Sequence, residues 1–428
     1  MDLKNRGSRR TIFAWAMYDF ANSAFSALVL TFIFSTYFTE VIAPNKIVGT
    51  ALWSRGITVS GITVALLSPL VGALADIAAI RKKILAVLTG GAVLATASLF
   101  FVLPGEVMRA LTLFVVANLA VEMGMVFYNS FLPDIATDDR IGRVSGYGWA
   151  LGYLGGLLAM SIALAGFVQP DVPWFGLTRD GGENIRATNL LVALWLAVFS
   201  LPLFFWVKEQ RVGKVGSLSK LLSASWRQIG ATMREVKRYR EIVRLLVARV
   251  FYNDAILTIF SFGGIYAKGT FGFTFKEIMI FGIVLNITAG LGALLLGFLD
   301  DVIGGKRTIQ ITNVAFVAAT ALAVWAPDKT YFWMAGIAVG LFAGPNQAAS
   351  RSLMARFVPL EKESEFFGFY AFSGKATAFL GPMLLGIITT LYQSQRAGIS
   401  VVLLFFFIGI ILLHRVDETG GKRLAGRT

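Results

Sequence analysis

Glu122 sits inside the apolar run "LTLFVVANLAVEMGMVFYNSF", with Asn118 four residues before it and Asn129 seven after. In a helix the three share one face. If that run crosses a bilayer, a carboxylate at its centre costs about 2.5–3.5 kcal/mol and persists only beside a partner or a water-filled cavity. Desolvation disfavours the charged form of a carboxylic acid. Glu122 is therefore a candidate proton carrier, and the polar face around it a candidate for substrate contact. Asp19, with Asn22 beside it and Ser23 and Ser26 on its face, supplies a second carboxylate about a third of the way into the first apolar run. Further along, Arg249 and Asn253 share a face, and Asp254 is turned about 140° from Arg249. Lys375 lies near the centre of another run. Set beside Asp254, it would neutralise two costly charges within one half of the chain; otherwise it or Arg249 would anchor a substrate carboxylate. Asn346, Gln347 and Arg351 add polar groups toward one end of a further run.

Other chemistries fail on spacing. The stretch "GYGWALGYLGG" (146–156) invites comparison with a dinucleotide loop, but that fingerprint needs Gly-x-Gly-x-x-Gly between a strand and a helix. Here three residues separate Gly148 from Gly152, and no strand pattern precedes them. Gly148, Gly152 and Gly156 recur every four residues instead, the spacing that lets helices approach closely in lipid. In "GFYAFSGKAT", Ala follows Lys375 where a phosphate-binding loop requires Ser or Thr. The chain has no cysteine and one histidine, His414, so no metal site is expected, nor thiol catalysis. No nucleophile, base and orienting group come together in these motifs, so neither an enzyme nor a cofactor is expected.

The elements that position these residues follow from composition. Of 428 residues 56% are apolar and 15% charged, against about 25% charged in an ordinary soluble domain. A bilayer core of about 30 Å is crossed by about 20 apolar residues in a helix. Twelve segments qualify, near 11–39, 51–77, 83–103, 107–133, 143–168, 187–207, 242–268, 275–300, 307–326, 330–357, 364–391 and 396–414. The opening "MDLKNRGSRR" is like the start of a signal peptide, but the run behind it is long, contains Asp19 and lacks a cleavage site, so an uncleaved span is expected. Most of the 39 Lys and Arg fall at the termini and in the even-to-odd connections, which places both termini in the cytoplasm. The net charge of +14 thus reads as membrane topology rather than nucleic-acid binding. In the long interruption, Leu218, Leu222, Trp226, Ile229, Met233 and Val236 recur at helical steps among Lys220, Arg227, Arg234, Lys237 and Arg238. That is a basic amphipathic helix suited to an anionic membrane surface. The expected organisation is a six-helix bundle over 1–207, a cytoplasmic linker over 208–241, a second bundle over 242–414 and a cytoplasmic tail over 415–428.

The halves repeat each other. "GALADIAAIRKK" (72–83) after the second segment answers "GFLDDVIGGKR" (297–307) after the eighth, and Pro133 and Pro359 precede matching glycine-rich stretches. Paired bundles of this kind mark transporters that rock two halves about a midplane site. The Gly-x-Leu-x-Asp turn with basic residues resembles the signature loop of the major facilitator superfamily. The second copy, Gly297, Leu299, Asp301, Gly304, Lys306 and Arg307, matches well; the first keeps Gly72, Leu74 and Asp76 but displaces its basic run. "WAMYDFANSAFS" (15–26), "NSFLPDIA" (129–136), "GRVSGYGWALGYLGG" (142–156), "QAASRSLMARFVP" (347–359) and "EFFGFYAFSGKATAFLGP" (365–382) resemble the vacuolar amino-acid effluxer family of fungi and its bacterial relatives. The resemblance implies an all-α integral membrane fold of twelve transmembrane helices in two pseudo-symmetric six-helix bundles. It implies a central cavity lined by segments 1, 4, 7 and 10, and a cytoplasmic gate held by Asp76, Arg81, Asp301, Lys306 and Arg307. The expected function is proton-coupled alternating-access transport of a small polar or zwitterionic solute, amino acids included, by a monomer in a prokaryotic cell membrane. A lipid or lysolipid flippase of the same fold, or a sensor or scaffold that does not transport, stands as the alternative.

Overall fold

A computed structural model describes residues 7–209 and 217–426; the first basic residues and the stretch 210–216 of the expected linker lie outside them. In lipid every backbone polar group must be satisfied internally, and among the described residues no strand occurs. The helices are α1 (Arg9–Ile42), α2 (Lys46–Ala78), α3 (Arg81–Phe101), α4 (Val107–Ile135), α5 (Ile141–Val168) and α6 (Asp180–Trp206). Then follow α7 (Leu218–Arg234), α8 (Arg240–Phe271), α9 (Lys276–Ile303) and α10 (Gly305–Trp325). The series ends with α11 (Lys329–Phe357), α12 (Leu360–Tyr392), α13 (Gln395–His414) and α14 (Glu418–Leu424). Eleven of these are long and apolar enough to cross a membrane. The twelfth expected span, α11, has 29 residues, a rise of about 43 Å, but a more polar composition. It is buried without a break from Ala348 to Val358, so protein rather than lipid meets its polar groups.

Helices α1–α6 form one half and α8–α13 the other. Both described ends, α7 and α14 lie on one face, the linker face; the opposite one is the far face. The halves meet along α2 with α12 and along α5 with α9 and α11. Small residues set these contacts. A Cβ added to Gly72 would come 2.3 Å from the Ser364 carbonyl oxygen, and Gly146 and Gly297 face each other across the other seam. The four-residue glycine spacing locates the α1–α5 contact only in part. A Cβ at Gly148 or Gly152 would meet Asp19 and Ser23 at 2.7 and 3.0 Å, whereas at Gly156 the nearest atom is an ordinary 3.5 Å away. The closest approach belongs to Gly155, whose added Cβ would sit 2.2 Å from the Phe20 carbonyl oxygen.

Two features are absent from the sequence reading. The far-face half of α1 widens into π-helical turns over Phe25–Phe32 and Phe38–Ile42. Near its middle, α12 breaks: one helix runs Glu363–Lys375 and another Leu380–Tyr392. The amphipathic α7 is as expected in type, but it docks through its polar side. Gln228 Nε2 donates to Glu365 Oε2 at 2.6 Å, and Thr232 accepts from Lys362 Nζ at 2.9 Å. Leu222, Trp226 and Met233 stay exposed along its flank.

Gly155→Ala is expected to destabilise the protein by about 1–3 kcal/mol, the usual range for overpacking, because backbone blocks the new methyl. Gly90→Ala, in α3 with nothing within 4 Å, should stay within about 0.5 kcal/mol. Thermal unfolding of the two purified variants checks both, and equal midpoints would contradict the packing assignment.

Candidate functional site

The linker face is closed by carboxylates that reach from one half to helix starts in the other. Asp76, near the end of α2, accepts the backbone N–H groups of Ser364 and Glu365 at 3.0 and 2.9 Å. Asp301, near the end of α9, accepts those of Gly142 and Arg143 at 2.8 and 3.1 Å, and Arg143 Nε donates to it at 2.6 Å. Both sites pair a carboxylate with unsatisfied N–H groups at the positive end of a helix. Arg81, at the start of α3, crosses the seam as well. Its Nη1 donates to Glu363 Oε2 at 2.7 Å and to the Ser130 carbonyl at 3.0 Å, and its Nη2 pairs with Asp134. Glu209 accepts the backbone N–H groups of Arg81 and Lys82, both at 3.1 Å, and burial pushes its carboxyl above the usual range.

The remaining residues expected at the gate divide. Lys306 does not join Asp301: its Nζ donates to the His414 carbonyl at 2.9 Å, and its backbone N–H to Glu418 of α14. Arg307 is exposed beside it. The cations at Asp301 are two that the sequence reading missed: Arg143, at 2.6 Å, and Arg356, which pairs with Asp300 and reaches Asp301 at 3.4 Å. Ser352 also donates to Asp300. Asp300, Asp134 and Glu363 escaped notice for the same reason: the doubled acid of "LDD" and the acids after Pro133 and Pro359 look like solvated turns until the fold brings a cation to each. Arg356 and Arg81 come from the same half for Asp300 and Asp134, and Arg81 from the opposite half for Glu363.

Deeper in, Asp19 and Arg351 meet across the halves. Arg351 Nη1 donates to Asp19 Oδ2 at 2.9 Å and to Asn129 Oδ1 at 3.3 Å; its Nε donates to Ser145 Oγ at 2.9 Å and its Nη2 to the Ser145 carbonyl at 2.7 Å. Tyr128 OH donates to the same Asp19 oxygen at 2.8 Å, and the guanidinium lies over Trp15, 4.8 Å from the ring centroid. Gly148 is the residue that leaves room for the pair.

At mid-depth the expected pairing of Lys375 with Asp254 is replaced. Lys375 Nζ donates to Glu122 Oε1 at 2.7 Å, joining α12 to α4 across the halves, and the two side chains remain 35% and 25% exposed. Asp254 instead accepts the Gly381 N–H at 2.9 Å, at the start of the second piece of α12, where a carboxylate complements the helix dipole. Arg249 donates to the Tyr370 carbonyl and Ser373 Oγ, both at 3.0 Å, near the end of the first piece, and lies 3.7 Å from the centroid of the Tyr370 ring. A cation and an anion one and a half turns apart on α8 thus bracket the break. A cross-half partner for Lys375 could not be read from its position in the chain.

The other polar candidates disperse. Asn118 donates to Ser60 at 2.7 Å and Asn346 to Thr312 and Asn313, both at 2.9 Å, so each ties helices together within its own half. Gln347 donates to Asn253 at 3.3 Å beside the Arg249 turn. Asn22 is buried, and its Oδ1 has no protein partner among the described residues. The face formed by Asn118, Glu122 and Asn129 therefore serves three places at three depths. Among the described residues no cluster of His, Cys, Asp and Glu could hold a metal ion.

Comparison with known proteins agrees with this architecture. Residues 44–426 match the family described as "Vacuole effluxer Atg22 like". The uncharacterized MFS-type transporter YxiO of Bacillus subtilis is 26% identical over 408 residues, covering 95% of this chain and 94% of that protein. Autophagy-related protein 22 of Yarrowia lipolytica is 24% identical over 315 residues, and the matched part spans 66% of this chain and 51% of that one. Among solved structures, the human organic anion transporter MFSD10 (TETRAN) superposes with a TM-score of 0.73 at 12% identity, over 95% of this chain and 99% of that one. A multi-pass membrane protein with the major facilitator fold, and a transporter rather than an enzyme, the chain belongs to the vacuole effluxer Atg22-like family.

Proposed function

We propose that this protein is a secondary transporter for a small zwitterionic solute of the amino-acid class, working by alternating access and coupled to protons through Glu122. The observation that carries the reading is the Glu122–Lys375 pair. It joins the two halves near the centre of α4 and α12, and both partners stay partly exposed, whereas Arg81–Glu363 and Arg351–Asp19 are nearly closed to solvent. An ammonium and a carboxylate that face each other across two movable halves form a template for a zwitterion. A substrate carboxylate satisfies Lys375 and a substrate ammonium satisfies Glu122, so the solute replaces the pair without leaving either charge alone. Protonation of Glu122 releases Lys375 by the same logic and supplies a route for coupling. The excess of Lys and Arg on the linker side supports a cytoplasmic linker face and cytoplasmic termini. With that orientation the Asp76 and Asp301 contacts shut the cytoplasmic entrance, and Asp19–Arg351 seals it from within. The bacterial relative matched over nearly its whole length supports a prokaryotic cell membrane as the setting.

Amino acids at 100 times their dissociation constant should stabilise purified protein by about 2.7 kcal/mol, read as a rise in unfolding temperature. Glu122→Gln and Lys375→Met should each abolish that rise. The double variant, which removes both charges together, is expected to fold near normally, because neutralising a pair avoids the stranded charge left by a single change. An amino-acid response that survives in both single variants would sink the template reading.

The chain contains no cysteine, so a single introduced thiol reports gate opening without background. Ser68 is buried and donates to the Gly368 carbonyl at 2.9 Å across the seam. In Ser68→Cys, labelling by an impermeant reagent from the linker face should be slow. Adding Asp76→Asn with Asp301→Asn should speed it at least tenfold, which needs only about 1.4 kcal/mol of lost closure. An unchanged rate would remove these two carboxylates from the gate.

A further inference from the structure

Between α1, α5 and α9, at the α5–α9 seam of the two halves, lies a groove of about 740 Å³. Its wall is apolar: Phe13, Leu154, Leu291 and Leu294 each leave between 42% and 50% of their surface uncovered. Its floor is tight, since a Cβ added to Gly290 would come 3.2 Å from that of Tyr153. Asn286, the one amide in the groove, already donates to the Gly282 carbonyl at 2.8 Å. Arg9, Arg140 and Arg143 stand at the linker-face end. Arg143 turns its Nε to Asp301, while Arg140 lies 3.3 Å from Asp139 with both side chains well exposed.

From Arg143 to Leu157, α5 rises about 21 Å, more than half of a hydrocarbon core of about 30 Å. The groove therefore runs from headgroup depth past the bilayer midplane. A polar solute gains nothing from such a wall, whereas an acyl chain fits it along its length. The basic end calls for a negative headgroup.

We propose that this groove is a binding site for an anionic glycerophospholipid, with its phosphate between Arg9 and Arg140 and one acyl chain lying between α5 and α9. One helix belongs to each half, so the bound lipid fastens the seam in the arrangement that is closed on the linker face.

The test uses the full chain, purified and delipidated in detergent, with dioleoylphosphatidylglycerol and dioleoylphosphatidylcholine as probes. Native mass spectrometry reads lipid retained, and thermal unfolding reads half-saturation. Phosphatidylglycerol should half-saturate at a concentration tenfold or more below phosphatidylcholine. Arg9→Gln with Arg140→Gln should erase that preference, and Arg9→Lys with Arg140→Lys should keep it, which separates charge from folding. Leu154→Trp, filling the groove midway, should lower retention of both lipids. Equal retention of the two lipids by the unaltered chain, or a preference that survives the glutamine changes, overturns the proposal.

Discussion

A carboxylate at the edge of a membrane needs donors, and the free N–H groups at the start of a helix are the nearest fixed ones. Asp76 and Asp301 both take theirs from the opposite half. Everything at the linker face depends on that exchange. It demands that α2 and α12 touch, and α5 and α9 likewise, closely enough for a carboxylate to reach backbone. Gly72 sits one helical turn before Asp76 and leaves no space for a methyl group beside the opposing backbone; Gly297, one turn before Asp301, is tight, since an added methyl would come 3.3 Å from Gly146 Cα. The Gly-x-Leu-x-Asp repeat thus encodes one contact made twice: the glycine admits the neighbour and the aspartate holds it.

Behind that contact the cross-half charges form a graded series. Arg81–Glu363 at the edge is nearly sealed, Arg351–Asp19 deeper in is almost as closed, and Lys375–Glu122 at the centre stays partly exposed. Opposite charges in low dielectric attract strongly but lose hydration on burial, so each sealed pair needs further donors around it. Arg351 has Ser145 and Asn129, and Asp19 has Tyr128. Glu122 and Lys375 have each other and, among the described residues, no further side-chain hydrogen bond.

Much of this was legible in the sequence because lipid imposes a length rule. Apolar runs of the required length gave the spans, and α11 was legible even though Asn346, Gln347 and Arg351 make it too polar for a composition threshold. The repeat placed both aspartates correctly at helix ends. Pairings across the halves were not legible. Lys375 and Asp254 lie in the same half, each well inside its apolar run, which made them natural partners on a linear reading. The choice of Glu122 arises only once α4 and α12 face each other. The break in α12 was equally hidden: "GKATAFLGP" has glycines at both sides but no proline inside the interrupted stretch. Asp254 was read as a charge in search of a cation, when it is the cap of an internal helix start. The regular glycine spacing pointed to the right helix face, while the tightest contact fell to Gly155, one position off the pattern.

The interruption in α12 gives the protein two short rods where an unbroken span would give one long one. The lower rod is bound at its foot to Asp76 and Arg81 and at its head to Arg249; the upper is anchored to Asp254. Lys375 is the last residue of the lower rod. One short rod therefore carries the Asp76 and Arg81 contacts at one end and the Glu122 contact at the other. The interruption makes the central lysine the far end of the same segment that the linker-face carboxylate holds by its start.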